Sequence, residues 1–271
     1  MTLSPSNRLV QGFWSGPLTT MERLSMQSFV AAGHEFHLYV YDGNLLGVPP
    51  SVHLRNAAEI IPVKEAATFR CVQQLSDQFR ITLLLKRGGW YVDLDTICLQ
   101  PFDFSSDYIF YRDYDESTIS FAVSKAPVGS PLMQHCHDYL SQLTAEDRQR
   151  LSWQEIGTEF VTGAVEFFGL QKFAQPGYTF DPIQWQRARE VVNPEAKWDL
   201  SRSHAVHLFH AVWNGGPKDR LGRGFDLGQD LDARLDTDGE YHPDCLYEQL
   251  KRKFLTNGAT EWQPSNLQSS S

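Results

Sequence analysis

The chain reads as an α/β fold with a parallel sheet at its centre. Strand candidates alternate with a helical stretch from the start: Arg8–Trp14, a helix running to about Ala32, then Glu35–Tyr41. Strand, helix and strand on such short connections mark a right-handed parallel βαβ unit. A second passage from helix to strand follows at the Gly88-Gly89 break, where Trp90–Asp95 is the next strand. The 271 residues are 41% hydrophobic and 13% aromatic, enough for a real core, and residues 1–255 read as one domain.

Each element has a local reason. Thr19 or Thr20 offers a side-chain oxygen to cap the first long helix, and Gly33 stops it. Glu35–Tyr41 alternates, with Phe36, Leu38 and Val40 on one side and Glu35, His37 and Tyr39 on the other. A helix from about Phe69 to Lys86 is ended by Gly88-Gly89. Ser152 and Glu155 form a capping box for an amphipathic helix that ends near Gly169. Ser203–Trp213 reads as a strand, with His204 and His210 on one face and His207 on the other. Asn214–Gly224 is a flexible basic loop carrying Lys218, able to fold over an anion. Tyr241–Leu255 is the last helix, and Thr256–Ser271 is a polar tail without core residues, expected to be disordered.

Composition excludes several classes of function. A net charge of −9 lacks the basic footprint of a nucleic-acid partner. No run of 18 apolar residues occurs, and Met1 to Arg8 lacks the apolar centre of a signal peptide. The expectation is a cytoplasmic protein with at most peripheral membrane association. Cys71, Cys98, Cys136 and Cys245 are scattered and read as reduced thiols. His135-Cys136-His137 resembles a ligand cluster, but neighbours at i and i+2 of a helix point apart. Phosphate-binding glycine loops and the nucleophile elbow are absent.

Chemistry concentrates at Asp93-Leu94-Asp95. Three other Asp-X-Asp triplets, at Asp113, Asp230 and Asp236, lie in polar stretches and read as solvated loops. Only Asp93 and Asp95 sit between apolar neighbours behind a Gly-Gly break. Burial and mutual repulsion would protonate at least one of them unless a cation balances the pair. A divalent ion with oxygen ligands removes that conflict. On an extended strand the two carboxylates would share a face about 7 Å apart, so the strand end has to bend for both to reach one ion. In an open sheet, ligands collect at the carboxyl ends of the strands. Trp14, Tyr41-Asp42 and Asp93-Asp95 stand at three such ends, offering a ring for a base, a carboxylate for ribose hydroxyls and a metal pair for phosphates. The plainer alternatives are a core aromatic at Trp14 and a simple turn at Asp42-Gly43.

These residues carry a family resemblance. Ser76-Asp77, Arg80, Gly88-Gly89, Tyr91, Asp93-Leu94-Asp95 and Pro101 together resemble the signature of the DXD sugar-binding glycosyltransferases, family 32. That group includes fungal initiating mannosyltransferases and bacterial capsular polysaccharide transferases. Trp14 in Phe-Trp-Ser-Gly is similar to the family's early Ile-Trp-X-Gly element, and Ala205–Leu208 to its late His-Leu-Trp element. The resemblance implies a GT-A type, Rossmann-like fold with a mixed, mainly parallel sheet. It also implies a retaining transfer of a hexose from a nucleotide-sugar, a UDP-sugar first among them, to a glycan or glycoconjugate acceptor.

By the same resemblance Asp95 binds Mn²⁺ or Mg²⁺, Asp93 bridges metal and ribose, and His207 is a third protein ligand. Trp14 stacks on the base, and Asp77 and Arg80 hold the donor sugar. Tyr41, Asp42, Ser76, Gly88, Gly89 and Lys218 complete the expected donor contacts. A plain intrahelical ion pair is the alternative for Asp77 and Arg80. The sequence departs from the family at Phe121, where asparagine is usual, and at Gly157-Thr158, where Gly-Pro is usual. No dedicated nucleophile stands out, which favours a front-side transfer in which the departing phosphate takes the acceptor proton. Two other readings use the same residues: a metal-dependent phosphohydrolase and a catalytically silent nucleotide-sugar binding module.

Overall fold

In a computed structural model of the chain, residues 3–255 are described, except 70, 115, 151–154, 156 and 215–233. Lys218, Ser152, the triplet at Asp230 and the tail 256–271 therefore lie outside the described residues. Seven strands form one sheet: β1 (Leu9–Phe13), β2 (Glu35–Val40), β3 (Val52–Asn56), β4 (Gly89–Val92), β6 (Ile109–Arg112), β7 (Ile119–Ala126) and β8 (Ala174–Gln175). Their spatial order is β3-β2-β1-β4-β7-β6-β8. β3, β2, β1 and β4 run parallel, and β7 is antiparallel to both β4 and β6. The sheet is thus mixed and mainly parallel in an α/β chain, as a GT-A type fold requires. No helix among the described residues is long and apolar enough to cross a membrane.

Helices cover both faces. α1 (Thr20–Ala31) opens on a capping box, with the Thr19 side chain accepting from the first turn and Glu22 reaching back to the Thr19 backbone. Met26 and Phe29 of α1 pack with Val10, Phe36, Leu38, Trp90 and Val92 on one face. α2 (Val72–Arg87) buries Leu75, Phe79 and Leu83 with Phe13, Tyr39 and Tyr91 on the other. α3 (Pro131–Gln142) and α4 (Thr158–Phe167) extend that second layer. Tyr39, placed by the alternation on the side of Glu35 and His37, is buried because this sheet is covered on both sides. On α3, Cys136 is buried, His135 stacks on Phe167 and His137 faces the surface, so the triplet forms no ligand cluster.

Three boundaries differ from the sequence reading. The strand expected over Trp90–Asp95 ends at Val92. Asp93 keeps one bond to Ala122 of β7, and the chain then turns, with Thr96 N returning to Asp93 O at 3.0 Å. Leu94 locks that turn by filling the space over Gly12, where any Cβ would lie 2.5 Å from its side chain. The strand expected over Ser203–Trp213 shrinks to β9 (Ala205–His207), because its partner β5 (Thr96–Cys98) has only three residues. Phe209 then adopts a left-handed φ of 54° and throws the chain into the helical turn His210–Trp213. The last helix, α5, begins at Leu246 rather than Tyr241. Pro243 disfavours helical backbone at His242 and delays it.

Gly88 closes α2 at φ 62° and ψ −165°, a region open in practice only to glycine. A Cβ there would lie 2.6 Å from the backbone nitrogen of Val128. Gly88→Ala is therefore expected to cost more than about 2 kcal/mol in urea unfolding. A loss of less than about half that would show that the turn is not held in this conformation.

Candidate active site

The two carboxylates of the triplet meet because of the turn after β4 and the pairing of β5 with β9. Thr96 lies opposite His207 in that antiparallel ribbon, which sets the imidazole beside Asp95. His207 Nε2 is 3.1 Å from Asp95 Oδ1, and the His210 backbone N–H donates to Asp95 Oδ2 at 2.9 Å. One ligand atom each from Asp93, Asp95 and His207 falls within 4.8 Å of the other two. The side-chain face of β9 that the sequence reading assigned to His207 therefore does point to the carboxylates. His204 bonds Pro101 O and packs on Phe104 instead. His210 leaves the strand altogether and arrives by the helical turn, so it shares no strand face with His204.

Asp93 is held from the other side by α2. Arg80 Nη2 lies 3.0 Å from both Asp93 oxygens and 3.3 Å from Asp77 Oδ1. Asp77 and Arg80 do form the i,i+3 ion pair of the plainer reading, but the pair extends to Asp93, just past the end of β4. The Tyr91 hydroxyl donates to Asp93 Oδ1 at 3.1 Å and lies 3.2 Å from Ser76 Oγ. Ser76, Asp77, Arg80, Tyr91 and Asp93 thus form one connected group.

Burial and charge oppose each other here. Burial drives the Asp77 carboxyl up to about 7, against the pull of the Arg80 guanidinium. Burial also raises Asp93, with Arg80 pulling it back. Burial works against Asp95 as well, but the cationic His207 ring and two hydrogen bonds outweigh it and hold that carboxyl well below the usual range. His207 is the counterpart: burial lowers it, and Asp95 more than reverses this, to about 9. A divalent ion at this site would have to displace that proton.

The remaining expected residues fall in different places. Trp14 follows β1, donates its indole N–H to Pro17 O, and stacks on the His210 ring at a centroid distance of 5.8 Å. Tyr41 donates to Ile61 O, and Asp42 is exposed and caps its own turn at Asn44 N. Gly88 and Gly89 sit at the opposite end of β4 from Asp93, where backbone geometry already accounts for them. Phe121 and Gly157 lie in β7 and just before α4.

Two groups had no chemical signal in the sequence. Asp181 is 5% exposed, and burial raises its carboxyl to about 7 while His207 pulls it down. Its Oδ1 has no hydrogen-bond partner among the described residues, and neither has His207 Nδ1. Glu22 is wholly buried, and its helix-capping pattern was the only trace of it in the sequence.

Residues 50–114 match the family described as the glycosyltransferase sugar-binding region containing the DXD motif. This segment runs from β3 to β6 and holds Asp77, Arg80, Asp93 and Asp95, but not His207 or Trp14. A solved structure titled PaToxG Glycosyltransferase is similar at 16% identity and a TM-score of 0.45, over 61% of this chain and 72% of that one. Likeness at that level adds nothing to the site assignment. None of the curated proteins compared matches the chain.

Proposed function

We propose that the protein is a metal-dependent retaining glycosyltransferase, moving a hexose from a nucleotide-sugar, UDP-sugars first, to a glycan or glycoconjugate acceptor. The observation that carries this is the convergence of Asp93, Asp95 and His207 inside a chain whose residues 50–114 match the DXD sugar-binding region. Two carboxylates suit Mn²⁺ or Mg²⁺, a neutral imidazole beside them is acceptable to Mn²⁺, and one ligand atom from each lies within 4.8 Å of the other two. When bound, such an ion neutralises charge on the leaving nucleoside diphosphate.

The chain's own groups do the rest. The indole of Trp14, backed by His210, is a stacking face for the base. Arg80 and Asp77 offer donors and acceptors for the hydroxyls of the sugar, with Tyr91 fixing the Asp93 carboxylate beside them. No side chain is assigned as a nucleophile, so the departing phosphate oxygen takes the proton of the acceptor hydroxyl on the same face. A two-metal phosphohydrolase fits less well. Among the described residues this is the one cluster of metal-binding groups, and it offers two carboxylates for an ion pair that needs more.

The test is a thermal-shift screen of UDP-, GDP- and CMP-sugars with and without Mn²⁺, followed by calorimetry on Asp95→Asn. UDP binding is expected to require Mn²⁺ and to be lost in the variant, with the fold retained. If Asp95→Asn binds UDP and Mn²⁺ as tightly as the native protein, the site is misassigned.

A further inference from the structure

Glu22 is an acidic side chain in the first turn of α1, and it is 0% exposed. One oxygen, Oε2, accepts both the Thr19 backbone N–H and the Thr19 hydroxyl at 2.6 Å. Those bonds complete the capping box and explain why a glutamate is there. They leave Oε1 unused. It is buried, without a hydrogen-bond partner among the described residues, and 3.5 Å from Nδ1 of His210. A buried carboxylate oxygen left open costs free energy unless something answers it.

His210 is the residue that answers. Its position is set by the left-handed Phe209, which costs about 1–2 kcal/mol in a non-glycine residue and recurs where function over-determines the backbone. That bend aims the His210 backbone N–H at Asp95 Oδ2 and lays the ring beside the Trp14 indole, 25° from parallel. One residue therefore touches the proposed base platform through its ring, the proposed metal carboxylate through its backbone and Glu22 through its Nδ1.

We propose that Glu22 is a positioning residue of the donor site: it anchors the His210 ring, and His210 in turn fixes Asp95 and backs Trp14. The helix cap and the site share one carboxylate, each using one oxygen. Hydrogen-bonded partners of metal-binding carboxylates typically change metal affinity 10- to 100-fold when removed. This inference rests on Asp95 binding the metal, so the native protein is measured first. Absence of Mn²⁺ binding there would count against the functional reading itself.

The experiment is calorimetric titration of Mn²⁺, and then of UDP in saturating Mn²⁺, into Glu22→Gln, His210→Phe, the double variant and Thr19→Ala. Glu22→Gln keeps the acceptor oxygen for the cap, and His210→Phe keeps a ring on Trp14 but cannot meet Glu22. Both keep the His210 backbone N–H that bonds Asp95 but release the ring that holds it in place, and both are expected to weaken Mn²⁺ binding about tenfold, the low end of the range for losing such a partner. The double variant is expected to be no worse than His210→Phe alone, since the two act through one contact. Thr19→Ala is expected to lower the melting temperature and leave Mn²⁺ affinity unchanged. The proposal is overturned if the two losses simply add, if Thr19→Ala costs as much Mn²⁺ affinity as Glu22→Gln, or if His210→Phe binds Mn²⁺ like the native protein.

Discussion

Arg80→Ala is expected to abolish sugar transfer while leaving Mn²⁺-dependent UDP binding nearly intact. The guanidinium lies between two half-buried carboxylates, 3.3 Å from Asp77 and 3.0 Å from Asp93. Removing it deletes the cation that joins Asp77 to Asp93 and leaves two acids facing each other. Breaking a buried ion pair from one side typically costs about 3–5 kcal/mol, because the partner stays behind without compensation. Part of that cost is avoided if Asp77 and Asp93 take up protons, which burial already favours. The metal-free variant should therefore be markedly less stable, and Mn²⁺ should raise its unfolding midpoint more than it raises the native one. Transfer should fall on the order of 10²-fold or more, the usual result of removing a preorganised electrostatic donor. UDP affinity in Mn²⁺ should stay within about threefold, since the contacts through Asp95 and His207 remain. Arg80→Lys keeps the charge but not the planar fork, and should recover stability better than activity. Parallel losses in UDP affinity and transfer would place Arg80 on the diphosphate instead of the sugar.

Much of this site was legible in the sequence because its parts carry local signatures. The Gly-Gly break dates the start of β4, and apolar residues on either side of Asp93 and Asp95 mark those carboxylates as drawn in from solvent, where both are half-buried. Asp77 and Arg80 share a helix face by spacing alone. Strand phase set His207 apart from His204, but it was the resemblance at Ala205–Leu208 that pointed to His207, which lies in the three residues that pair with β5. Past His207 the phase argument fails, because the left-handed Phe209 is a tertiary accommodation that no propensity foretells. Asp181 reaches the site from a stretch of short turns, and no motif or periodicity marks it. Glu22 was not singled out in the sequence, where its place three residues after Thr19 fits a capping box and asks for no site. Trp14 and Asp42 carried the same ambiguity in the sequence and make different contacts in the structure. Both end parallel strands on one edge of the sheet, yet Trp14 stacks on a residue that binds Asp95, while Asp42 only closes its own turn.

Raising the pH from 6.5 to about 9 is expected to destabilise the metal-free protein and to strengthen its grip on Mn²⁺. Three groups set the sign. Asp77 and Asp181 are each raised from 3.8 to about 7, so the folded state holds protons that the unfolded state has released. Their contribution is greatest at acid pH and is gone once the pH passes about 7. His207 is raised from 6.5 to about 9, so its pairing with Asp95 stabilises fully below 6.5 and is lost as the pH climbs through about 9. Asp95, held below its ordinary value, is ionised throughout this range and contributes no slope. These three terms point the same way, against Lys253, which burial lowers to about 8 so that it gives up its proton earlier in the folded state; at about 1.4 kcal/mol per unit the His207 term alone is on the order of 3 kcal/mol. Metal binding runs in the opposite direction, because a ligating imidazole must be neutral. The threshold is not the 6.5 of free imidazole but the raised value near 9, so binding at neutral pH should expel about one proton. Denaturant unfolding across this range, with and without Mn²⁺, measures the first effect. Calorimetry at pH 7.5 in buffers of different ionisation enthalpy measures the second. His207→Gln should flatten the upper part of the stability curve and remove the proton release together. A native protein that binds Mn²⁺ at that pH without releasing a proton would show that His207 is not a ligand, whatever its distance from Asp95.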